Sequence, residues 1–167
     1  MRTTFTIGNS TVDGFYSAVT PIIFRQVFKR DFLRENNAIS ARLVTRTKKL
    51  KKLTKVQMEI AAKSEDGTAD KDELIDAINE AMNEDDYLVL ADQEELGLML
   101  LFIMIKQEEL RDLGLLSKLT QDDYMNFLNG YDYQELAAAG RQALMEWSKD
   151  AKAAVERKNL QSRAPGN

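Results

Sequence analysis

Phe5 and Ile7 alternate with Thr4 and Thr6, the two-residue period of a half-buried strand. Gly8-Asn9 supplies turn residues and Val12 and Phe15 follow near Gly14, so residues 1–19 predict a small β-hairpin. Two strands alone are marginal and need a packing partner. Thr20-Pro21 next to them reads as a helix start, with Thr20 as N-cap and Pro21 at the first helical position, where a missing N–H costs nothing. A helix is predicted from Pro21 to Glu35. Phe24, Val27, Phe28 and Phe32, with Leu33 on the flank, recur at spacings of three and four and form one face, while Arg25, Lys29 and Arg30 lie off it. Such a stripe is most often core, and core packing is the first expectation for these phenylalanines.

Farther along, Leu43, Leu50, Leu53 and Val56, then Leu74, Ile75, Ile78 and Met82, keep helical spacing and predict partly helical segments. Ser64-Glu65-Asp66-Gly67-Thr68 interrupts them and is the candidate mobile loop. From Gln93 to about Gln107 the run LGLMLLFIMIK is apolar nearly all round and predicts the central core helix, with Met99 and Met104 as gap fillers. Thr20's counterpart farther on is Thr120, which caps a short helix from about Gln121 to Asn129 that ends at Gly130, with Tyr124, Phe127 and Leu128 inward. Asp132 with Glu135 three residues on starts a last helix as a capping-box variant. Leu136, Leu144 and Trp147 form its apolar side, and Ala137 to Ala139 allow close approach. The fold class is mainly α, a helical domain over 20–158 with a small N-terminal hairpin, a charged insert at about 38–86 and a flexible tail at 159–167.

Charge changes this picture in one region. From Lys29 to Lys55 ten basic residues stand against Asp31 and Glu35, a local net of +8. From Glu65 to Glu95 thirteen acids stand against Lys71, a local net of −12. The net charge of −4 over 167 residues hides this asymmetry. The run Thr47-Lys48-Lys49-Leu50-Lys51-Lys52-Leu53 has the composition of a phosphate-binding or membrane-surface helix. It carries no aromatic to stack bases, and the favoured reading is a solvated face that pairs with the acidic block of the same chain or of a neighbouring copy.

The chemistry available to the chain is narrow. With no cysteine and no histidine there are no disulfides, thiolate nucleophiles, Cys/His zinc sites or neutral-pH proton shuttles. The eight glycines form no phosphate loop. Asp70, Asp72 and Asp76 resemble a calcium loop, but Ile75 and Ala81 stand where its glycine and terminal glutamate belong. These acids read as a solvated helix N-terminus. No enzyme, cofactor or metal is expected. The start MRTTFTIGNS is not a secretory signal. The apolar stretch Leu98 to Ile105 is far short of the ~20 residues that span a bilayer, so a soluble cytoplasmic protein is expected.

Three segments in order resemble the tail assembly chaperone family of siphophages. The first runs from Thr20-Pro21 through Phe24-Arg25 to Phe28-Lys29-Arg30-Asp31 and Phe32-Leu33, similar to the family's small-residue and aromatic-Arg element followed by Phe-x-x-Asp. The second is Leu101-Phe102-Ile103-Met104-Ile105-Lys106-Gln107, similar to an apolar helix ending in Lys-Gln. The third is Asp122-Asp123-Tyr124-Met125-Asn126-Phe127-Leu128 with Tyr131-Asp132 and Trp147. Together they cover about half the chain, and their order and spacing carry the likeness. The charged insert and a C-terminus without a lysine-rich ending depart from the pattern.

The resemblance implies a helical body with a small N-terminal β element, binding to the tape measure protein, and recruitment of tail tube protein when a frameshifted longer form is present. It also implies self-association into a homo-oligomer, absence from the finished virion, and work in the host cytoplasm. No membrane or nucleic-acid partner is expected. The candidate partner-binding positions are Phe24, Arg25, Phe28, Asp31 and Phe32, any part of them left uncovered, with Arg46, Lys48, Lys49, Lys51 and Lys52 as a charged rim. The alternatives are a small helical nucleic-acid-binding regulator using residues 42–55 and a structural head-tail connector.

Overall fold

The computed structural model describes residues 1–63 and 71–163, of which 63, 71, 113 and 151–163 are described by backbone alone. The loop expected at Ser64–Thr68 and the last four residues of the expected tail lie outside the described residues. The described chain holds two strands, β1 (Arg2–Ile7) and β2 (Ser10–Phe15), then α1 (Thr20–Phe28), α2 (Phe32–Lys63), α3 (Lys71–Ala81), α4 (Glu84–Leu110), α5 (Leu113–Leu116), α6 (Gln121–Asn129) and α7 (Tyr133–Arg163). It is mainly α with a small N-terminal hairpin. These elements divide into two compact units, Met1–Leu33 with Glu94–Asn167, and Arg34–Gln93. The charged segment expected at 38–86 lies inside the second.

In the first unit β1 and β2 pair antiparallel, with Ile7 opposite Ser10 across the two-residue turn. Gly8 takes φ +60° there, the conformation that a two-residue hairpin with glycine at its first central position demands. Phe5 and Ile7 point into the core. Gly14 makes room for Phe5, since a Cβ at Gly14 would lie 2.5 Å from its ring. The hairpin rests on α7, where Gln142 Nε2 donates to the Thr4 carbonyl at 3.1 Å.

The helix expected from Pro21 to Glu35 is two helices. Lys29 takes the left-handed conformation at φ 57° and its N–H bonds the Arg25 carbonyl, which ends α1. The chain restarts at Phe32, directly after Asp31, a residue type that favours the helix N-terminus. The N-cap of α1 is Val19, not Thr20, and makes no side-chain cap bond. Thr20 is fully buried in the first turn because its hydroxyl is engaged elsewhere. Its Oγ1 accepts from the Ser17 N–H at 2.9 Å and donates to Gln107 Oε1 at 2.7 Å. Gln107 is itself buried and needs that donor.

Around this bond the core of the first unit is built on α4, in which every residue from Leu96 to Ile105 is buried. Its all-round apolar surface meets α7 at a close backbone contact, Gly97 against Gly140. The sequence reading placed the close approach at Ala137 to Ala139; Ala137 and Ala139 are buried, but the backbone contact is one residue farther on. Thr120 caps α6 in a reciprocal capping box with Asp123. Asp132 Oδ1 accepts from the Gln134 and Glu135 N–H groups at 2.9 and 3.4 Å and so caps α7. That helix continues to Arg163, past the 158 boundary that the fading apolar pattern suggested. Strong helix formers such as Ala153, Ala154, Glu156 and Lys158 favour its continuation.

In the second unit Ile39, Leu53 and Ile60 of α2 are buried, with Met82 and, in α4, Val89. The N-terminus of α4 is closed by a reciprocal pair in which the Asn83 N–H donates to Asp86 Oδ2 at 3.0 Å and the Asp86 N–H to Asn83 Oδ1 at 3.1 Å.

Candidate functional site

The five candidates between Phe24 and Phe32 divide cleanly. Phe24 and Phe32 have no exposure and Phe28 has 4%, so no part of this aromatic face is left for a partner. Core packing is their role. Their rings form a continuous cluster, Phe24 to Phe28 at 4.9 Å and Phe24 to Phe32 at 5.3 Å between centroids. Phe28 meets Tyr124 at 5.0 Å and Phe102 at 6.3 Å, and Phe32 meets Trp147 at 5.0 Å. Burial foremost, then the nearby Glu95, pushes the Tyr124 hydroxyl up to about 12, so its ring stays neutral and serves as core. Arg25 and Asp31 form an ion pair across the α1–α2 break. They hold the kink on the surface.

The basic candidates divide by helix face. Ile39, Arg42, Arg46, Lys49, Leu53, Val56 and Ile60 follow one another at alternating steps of three and four and form the inner seam of α2. Arg42 Nη1 pairs with Asp92 at 2.5 Å and its Nη2 donates to the Asp85 carbonyl at 3.1 Å. Lys49 pairs with Asp86. The order of these contacts makes α2 and the first turns of α4 antiparallel. Arg46 stands between the two pairs, its Nε shielded from solvent with no hydrogen-bond partner among the described residues. Arg46 and Lys49, proposed as a partner-facing rim, thus belong to the inside of this unit. Lys48 and Lys51 are exposed on the opposite side and Lys52 is exposed on the flank.

The Lys49 hydrogen bond foremost, then the Asn83 N–H, holds the Asp86 carboxyl below the usual carboxylate range. The Thr120 hydroxyl and N–H do the same for Asp123. A depressed folded-state pKa contributes stability that is present at neutral pH and lost as pH falls through the folded value. Thermal melts at pH 7 and pH 3 should therefore show an acid-induced loss, starting below about pH 4, that shrinks in Asp86→Asn. An unchanged acid loss in that variant would remove Asp86 from the account.

Among the described residues no group of three acids is placed to hold a metal. Three open clefts have volumes near 240, 400 and 340 Å³, the first lined by Phe15, Val19, Gln107 and Leu116, the second by Val27, Lys29 and Thr120, the third by Arg42, Lys49 and Asp86. No described helix is long and apolar enough to cross a membrane. Sequence reasoning missed two arrangements: the buried Thr20–Gln107 bond, whose signal was a glutamine at the end of an apolar run, and the two-faced pattern of α2, whose signal was the step of three and four that its charged residues share with its apolar ones. No family model, curated protein or solved structure matches this chain.

Proposed function

We propose that the chain is a phage tail assembly chaperone that binds the tape measure protein, promotes tail tube assembly in the host cytoplasm and is absent from the mature virion. One observation carries this reading: the three segments that resemble the family, far apart in sequence, are one another's packing partners. Thr20 bonds Gln107, Phe28 meets Phe102 and Tyr124, and Phe32 meets Trp147.

A long helical client needs apolar surface to dock on and charge around it to stay soluble. With the phenylalanines buried, the exposed apolar side chains of the first unit include Ile22, Leu33, Leu115, Met125 and Met145. The nucleic-acid alternative loses Arg42 and Lys49, which are committed to internal acids.

Co-expression with the tape measure protein, followed by size-exclusion chromatography with light scattering, is expected to give a soluble complex with several copies of this chain per client. A client that stays insoluble, or that elutes without this chain, would end the reading. Mass spectrometry of purified particles separates the connector alternative, which alone requires the chain to remain in the virion.

A further inference from the structure

The lysines of α2 that find no acid among the described residues are arranged as regularly as the inner cations Arg42 and Lys49 that do. Val44, Lys48, Lys51, Lys55 and Met58 follow one another at the same alternating steps of three and four as the inner seam, on the opposite side of the helix. Val44 is 55% and Met58 66% exposed. Lys48, Lys51, Lys55 and the adjacent Lys52 are exposed and make no ion pair among the described residues. Glu59 lies at the far end beside Met58. α2 therefore carries two heptad stripes, each with cations at its centre and apolar residues toward its ends.

The inner stripe shows what such a stripe accepts. Its cations meet Asp92 and Asp86, and between them α4 presents the buried Val89. An acidic, amphipathic helix laid antiparallel satisfies basic residues and apolar residues together. We infer that the outer stripe docks a helix of the same chemistry from a partner protein: apolar residues two heptads apart, seated on Val44 and Met58 roughly 21 Å apart at 1.5 Å per residue, and carboxylates between them facing Lys48, Lys51 and Lys55.

Phosphate fits less well. A nucleic acid has no use for exposed Val44 and Met58 at the two ends of the stripe, and no aromatic interleaves the lysines. The inference concerns the second unit and goes beyond the chaperone reading, so it stands or falls separately from tape measure binding.

The test uses the full chain and a fluorescein-labelled synthetic helix of three heptads, with two leucines two heptads apart and glutamates between, followed by anisotropy at low and high salt. The same peptide with lysine for glutamate, and a short duplex DNA, are the comparison probes. The glutamate peptide should bind and the lysine peptide should not. Lys48→Glu with Lys51→Glu and Lys55→Glu should weaken binding by about tenfold or more, with most of the salt dependence lost.

Val44→Ser with Met58→Ser should weaken binding at every salt concentration. All five positions are exposed, and glutamine at the three lysines is the second variant should glutamate disturb the helix seen by circular dichroism. No binding of the glutamate peptide overturns the inference. So does binding of duplex DNA alone, which makes this a phosphate surface, or self-association abolished by the lysine variants and indifferent to the peptide, which makes the occupant a second copy.

Discussion

Phe102→Ala is expected to lower the unfolding free energy by about 3–5 kcal/mol. The side chain is fully buried and touches three other rings, Tyr124 and Phe127 each at 5.5 Å and Phe28 at 6.3 Å. Truncation loses the transfer free energy of the ring and leaves a cavity walled by rigid aromatics that cannot collapse to fill it. The edge contacts add about 0.5–1.5 kcal/mol per pair beyond area. Against a total stability of about 5–15 kcal/mol, the variant sits near the limit of folding. Trp147 is the chain's one tryptophan, and its ring meets Phe32 and Tyr16 at 5.0 and 5.6 Å, so its fluorescence reports this unit in urea titrations. A loss below about 1 kcal/mol would mean that the rings are not packed together. Phe127→Ala, at the half-buried margin, should cost less.

The elements that were legible in the sequence are those whose local signals agree with their tertiary setting. Thr120 and Gly130 bound α6 at the expected positions, Gly130 in a right-handed conformation at φ −82°, and Asp132 caps α7, because the Thr120 and Asp132 side chains are exposed and nothing competes for them. The hairpin was legible because alternation and a Gly-Asn turn point the same way. At Thr20 the same rule failed: burial beside Gln107 took the hydroxyl away from capping. At Lys29 an apolar period of three and four continued through a break in the helix, since Phe24, Phe28 and Phe32 converge on one cluster from either side of the turn. Periodicity reads which face is apolar and is blind to a single residue turning left-handed. The pairing of the charge blocks was expected in kind, but which cations it consumes depends on helix face, and that was readable only once α2 was known to run unbroken from Phe32 to Lys63.

Gly97→Ala should destabilise the first unit even though alanine is the better helix former. Two effects oppose each other. Removing a glycine from a helix interior favours the folded state by about 1 kcal/mol. An added Cβ at Gly97, however, would stand 2.8 Å from the Gly140 carbonyl oxygen and 2.9 Å from its carbon, and backbone atoms cannot rotate aside as a flexible side chain does. α4 and α7 must move apart along a row in which every residue from Leu96 to Ile105 is buried, and overpacking of this kind costs about 1–3 kcal/mol. The clash outweighs the propensity, and Gly97→Val, which adds bulk and a β-branched side chain with lower helix propensity, should be worse by a further margin. Gly140→Ala meets the same contact from the other side, its Cβ 3.0 Å from the Gly97 carbon. Once one Cβ has forced the helices apart the second meets less resistance, so the double variant should lose less than the sum of the two singles. Additive losses in urea unfolding followed at Trp147 would mean that the two glycines act independently and that no close backbone contact joins these helices. A stabilised Gly97→Ala would mean that the clash is relieved at a cost below about 1 kcal/mol.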